Sequence, residues 1–125
     1  MSEQKGAYSG SLTAVTGTTA GGILSLLNPE GATLIITRFI IYLTTEATGA
    51  ATGDFGIAAN GTTSSDTLLD GVDLGSAAGI FDNFDDQGTN GQSVLTWGAS
   101  QYITGTASAT LAGLVGTYYI EYIRA

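Results

Sequence analysis

The residues able to do chemistry in this chain are almost all carboxylates. Eleven Asp and Glu stand against three Lys and Arg, with no histidine and no cysteine. That removes the commonest general base, the commonest transition-metal ligand and every thiolate. With Lys5 the single lysine, a nucleophile–base pair is hard to assemble. Two carboxylates could hydrolyse a glycoside, but Asp66, Asp70, Asp73, Asp82, Asp85 and Asp86 fall in loop-like stretches where cap and turn roles explain them. The same acids raise calcium, since Asp82-Asn83-Phe84-Asp85-Asp86 and the Asp70 to Asp73 segment are dense in hard oxygen donors. EF-hand spacing is absent, so turn formation is the favoured reading. The glycine runs lack GxxxxGK and its lysine, and are not phosphate cradles. Trp97 and the tyrosines suggest sugar stacking, yet Trp97 follows Val94 and Leu95 in a strand pattern that fits a core position. The expectation is a non-enzyme with no cofactor and no metal.

The elements that would position these residues are organised around Gly31 to Thr45, GATLIITRFIIYLTT. Its β-branched and aliphatic composition predicts a long strand. Alternation puts Leu34, Ile36, Ile40 and Tyr42 on one face, and Ile35, Phe39, Ile41 and Leu43 on the other. Both faces are apolar, so the strand needs two covers: a second sheet, and either a helical segment or a neighbouring subunit.

Around it, residues 1–6 are polar and predict a flexible N-terminal arm. Ala7 to Thr16 predicts a first strand with Val15 out of phase, and Ile23 to Leu27 a short one. Asn28-Pro29-Glu30-Gly31 is a turn. Thr52 to Ala59 alternates as a half-buried strand, expected to form a hairpin with the long strand across a short connection. Thr62 to Gly75 carries Ser, Thr and Asp caps, Leu68, Leu69 and Gly71, and predicts one short helical turn. Ser76 to Phe84, Ser93 to Trp97 and Gln101 to Thr106 predict strands, while 107–113 is left open. Leu114 to Arg124 closes the chain as an aromatic strand with Tyr118, Ile120 and Tyr122 on one face and Tyr119, Glu121 and Ile123 on the other. Glu121 is expected to neutralise Arg38 if the two strands are neighbours. Arg38, Glu121, Tyr118, Tyr119 and Tyr122 are therefore the structural or interface candidates.

About eight short strands with glycine-marked turns predict an all-β, single-domain, jelly-roll-like β-sandwich over residues 7–125. A chain of 125 residues can bury a core without staples. Its net charge of −8 disfavours nucleic acid and anionic membranes as partners. Only 11% of residues are charged, where about 25% is usual. A neutral surface of that kind suits a subunit packed against others. The N-terminus lacks the apolar core of a secretory signal and no apolar run approaches about 20 residues, so synthesis in the cytoplasm without a membrane span is expected.

Asn28-Pro29-Glu30-Gly31, the TTEATGAA step from Thr44 to Ala51 and the closing AGLVGTYYIEYI resemble small virion proteins of tailed bacteriophages over about residues 28 to 123. The resemblance implies a capsid decoration or cement protein, made in the host cytoplasm and resident on the virion. Its implied partners are the major capsid protein and further copies of itself, commonly in a trimer, and it carries over no catalytic residue. The alternatives are a receptor- or glycan-binding module of a tail or head fibre and a self-assembling jelly-roll shell protein.

Overall fold

In the computed structural model, residues 4–125 are described, and they form an all-β sandwich of two antiparallel sheets. The strands are β1 (Lys5–Ser11), β2 (Leu24–Leu27), β3 (Leu34–Thr45), β4 (Thr52–Ala58), β5 (Leu69–Asp73), β6 (Gly79–Asp82), β7 (Leu95–Trp97), β8 (Tyr102–Ala107) and β9 (Val115–Arg124). A five-stranded sheet runs β1-β9-β3-β6, with β7 also on β3, and a four-stranded sheet runs β2-β8-β4-β5. The pairing is nested about the β4–β5 connection: β4 with β5, β3 with β6 and β7, β2 with β8, and β1 with β9.

Between the sheets, Leu34, Ile36, Phe39, Ile41 and Leu43 of β3 meet Phe55, Leu69 and Ile103 of the other sheet, all fully buried. The Phe39 and Phe55 rings, 5.6 Å apart and tilted by 40°, join the layers. Burying a side chain of this size contributes roughly 1.5–3 kcal/mol. Phe55 lies flat only because Gly53 and Gly105 beside it have no Cβ to collide with its ring.

The long strand does not keep one phase. Between Ile36 and Arg38 the pairing with β9 slips by one residue, so Thr37 and Arg38 together oppose Glu121. This β-bulge moves Phe39, Ile41 and Leu43 onto the same core face as Leu34 and Ile36. Strict alternation assigns Ile36 and Ile40 to one face, and the structure separates them. The bulge is held by Asn83, whose Oδ1 accepts the buried Phe39 N–H at 2.8 Å and whose N–H reaches the Phe39 carbonyl. Its Nδ2 donates to the carbonyls of Gln92 and Ser93, so one side chain bridges the gap between β6 and β7.

Three expectations are corrected. No helical turn occurs among the described residues: Thr62 to Leu68 is an irregular strap, and β5 occupies Leu69–Asp73. The cap-forming groups bond to strands instead, since the Thr63 carbonyl accepts from Thr104 Oγ1 and Thr67 Oγ1 accepts from Ile57 N–H. Nor do β3 and β4 form a hairpin; the connection crosses between sheets, with Ala47 and Ala51 buried and Ala47 N–H bonded to the Leu74 carbonyl. Of the expected arm, residues 1–3 lie outside the described residues, while Lys5 and Gly6 pair with Ile123 and Tyr122 in β1.

Candidate functional site: an uncovered sheet face

The two sheets differ in what lies on their outer faces. On the four-stranded sheet the strap covers Gly56 and Thr104: Thr104 is fully buried, and a Cβ at Gly56 would collide with Ser65 and Thr67. Among the described residues, no such strap crosses the five-stranded sheet.

Its outer face follows from the register. Across β9, β3 and β6 the rows are Tyr119–Ile40–Asp82 and Thr117–Tyr42–Ile80, with Glu121 beside Arg38 and Ile123 beside Ile35. Tyr42, Ile80, Val115 and Tyr119 are among the most exposed large apolar residues, and Ile80 reaches 67%. Two shallow grooves run along this face, one past Lys5, Thr37 and Ile123, the other past Ser9, Ile40 and Tyr119.

Each residue singled out from the sequence has a definite place. Tyr118 and Tyr122 turn inward and are buried, and Tyr119 and Glu121 turn outward, as their alternation predicts. Tyr118 lies over Gly10 and stacks on Tyr8 with ring centroids 6.4 Å apart, and Tyr122 lies over Gly6. Burial holds both phenols above their ordinary titration range, helped at Tyr118 by Tyr8 and at Tyr122 by the carboxylate of Glu30. Arg38 and Glu121 are cross-strand neighbours, but the guanidinium pairs with Asp82, Nη1 to Oδ2 at 3.2 Å, and lies 5.8 Å from the Phe84 ring. Asp82 wins because β6 flanks β3 on the other side and its carboxylate is already fixed by the turn that follows. That carboxylate is held below its usual range although partial burial pushes it up, because the N–H groups of Asp85 and Phe84 and the Arg38 charge outweigh burial.

Most of the other loop acids are turn formers. Asp73 accepts from Gly75 N–H and Ser76 hydroxyl, Asp70 from Asn90 N–H, Asp66 from the Asn90 amide and Asp86 from Asp82 N–H. Among the described residues no three His, Cys, Asp or Glu form a group that could hold a metal ion. Trp97 is fully buried, its Nε1–H donated to the Gln101 carbonyl at 2.9 Å, and presents no ring to a sugar.

A second polar cluster escaped the sequence reading. Glu30, at the end of the Asn28 turn, binds Arg124 through two bonds of 2.7 Å and accepts the Tyr122 hydroxyl at 2.6 Å. Bonds from Arg124 and then Tyr122 hold its carboxyl below the ordinary value. Asn28 anchors that turn: its buried amide donates to the carbonyls of Ala32, Trp97 and Gly98, and its Oδ1 accepts from Glu30 and Gly31 N–H. The cluster locks the end of β9 to the loop before β3.

The geometry defines a β-sandwich whose five-stranded sheet carries exposed apolar side chains on its outer face. Compared with protein-family models, curated proteins and solved structures, the chain matches none of them.

Proposed function

We propose that this chain is a structural virion subunit, a decoration or cement protein that binds the outer surface of a tailed-phage head as a homo-oligomer. The observation that carries the reading is the outer face of the five-stranded sheet, where apolar side chains on β3, β6 and β9 stand without a cover. Contiguous exposed apolar surface of this kind marks an interaction site. The strand order supports a jelly-roll reading as well. Nested antiparallel pairs wound into two sheets are the arrangement used by viral capsid and lectin domains.

In this reading the chain has no catalytic role; its partners are the major capsid protein and its own copies, and the trimer implied by the resemblance is the first assembly to look for. The protein is made in the host cytoplasm and ends on the virion, with neither nucleic acid nor membrane as partner. The test is co-sedimentation of the purified chain with expanded phage heads, followed by Ile80→Ser and Tyr119→Ser. Binding that these variants weaken supports the proposal; no binding under any salt condition rejects it. Tyr42, Tyr119 and Phe84, all exposed, keep the glycan-binding alternative open to a glycan array.

A further inference from the structure

We infer that the outer face of the five-stranded sheet takes a second copy of this chain, face to face about a two-fold axis, with Arg38 of each copy on Glu121 of the other. The inference rests on the adhesive reading above but assigns that face to a self-contact of two-fold symmetry, in place of the trimer implied by the resemblance. Three observations favour a second copy over other occupants.

Charge comes first. At a net −8, two copies repel over most orientations. Asp54, Asp66, Asp70 and Asp73 lie on or beside the β4–β5 edge of the other sheet, whereas two of the three basic residues, Lys5 and Arg38, lie on this face opposite Ile123 and Glu121. Among the described residues, this face sets Lys5 and Arg38 against Glu121 and Asp82.

The second observation is self-complementarity. Arg38 bonds Asp82 through Nη1 alone, while the exposed Glu121 side chain makes no hydrogen bond or ion pair among the described residues. A two-fold axis parallel to the strands and midway between β3 and β9 gives each Glu121 a guanidinium of the other copy and sets Ile40 on Tyr119. An isologous contact needs this pattern, one surface carrying both halves of the pair.

The third is size. With β3 at 12 residues, the face spans at most roughly 40 Å by 19 Å, at about 3.3 Å per residue and 4.8 Å per strand. That approaches the roughly 800 Å² per partner of a stable interface. The strap, the other available cover, already lies on the opposite sheet.

The test is sedimentation equilibrium of the purified full chain at micromolar concentration, with thermal melts confirming that each variant is folded. Wild type is expected as a dimer, and Tyr119→Lys is expected to weaken it about tenfold or more. Glu121→Arg and Arg38→Glu are each expected to lose self-association, and an equimolar mixture of the two to regain it as a heterodimer. A monomeric wild type, a strict trimer, or a mixture that stays monomeric overturns the inference. Head co-sedimentation scores the proposed function separately. A monomer that binds heads sinks only the two-fold contact, and a dimer that ignores heads sinks only the virion reading.

Discussion

At Asn83 one side chain stands in for a strand. β3 needs a partner along its whole exposed edge, but β6 pairs only Ile40–Leu43 and β7 only Leu34–Ile36. The Asn83 amide fills the interval by accepting Phe39 N–H and tying down the loop carbonyls. Asn83→Ala leaves that N–H buried and unpaired, and is expected to cost about 2–3 kcal/mol, measured as a lower urea midpoint at unchanged slope. The acids make a second residue-scale prediction. Glu30 and Asp82 both titrate below their ordinary values in the fold. A carboxylate depressed on folding stabilises above its unfolded pKa, and that contribution is lost as pH falls through the folded one. Melting temperature should therefore drop as pH enters the range below ordinary carboxylate values, and Glu30→Gln should flatten part of the drop. An unchanged acid limb in the Glu30→Gln titration would contradict the assignment.

At the scale of elements, most strands could be located from the sequence because apolar alternation and glycine turns mark them locally. The strand pattern from Val115 to Arg124 even assigned faces correctly, since no irregularity interrupts it between Tyr118 and Tyr122. What stayed hidden depended on distant partners. The phase slip at Thr37 is fixed by Asn83, 44 positions from Phe39, and nothing in the ITRF stretch announces it. For the same reason Arg38 pairs with Asp82 rather than the expected Glu121: Glu121 is the cross-strand neighbour, but Asp82 comes from a strand whose register depends on the bulge. Cap residues at Thr62 to Gly75 mimic a helix start because hydroxyls that cap helices also satisfy sheets, as those of Thr67 and Thr104 do. The β1 edge yields a prediction of this kind. Its glycines let Tyr118 and Tyr122 lie against the strand, so Gly10→Val is expected to displace the Tyr118 ring and cost about 1–3 kcal/mol. Hydrogen exchange should show faster amides across Lys5–Ser11 and little change in β4 or β8. A uniform acceleration would show that β1 does not open separately.

For the whole molecule, the asymmetry between the two outer faces is what connects the fold to the proposed function. One sheet is strapped, and the other presents Ile40, Tyr42, Ile80, Tyr119 and Val115 to whatever meets it. Residues that serve adhesion rather than folding can be replaced at little cost, so Ile80→Ser is expected to shift stability by no more than about 0.5 kcal/mol while weakening association. A large loss of stability would mark Ile80 as a folding residue and remove it from the surface. The most direct measurement of the central claim is an image reconstruction of tailed-phage particles assembled with this chain. The account expects the sandwich outside the shell, with the outer face of the five-stranded sheet covered by another subunit. Density confined to the tail, or a chain on the shell with that face bare to solvent, would contradict it.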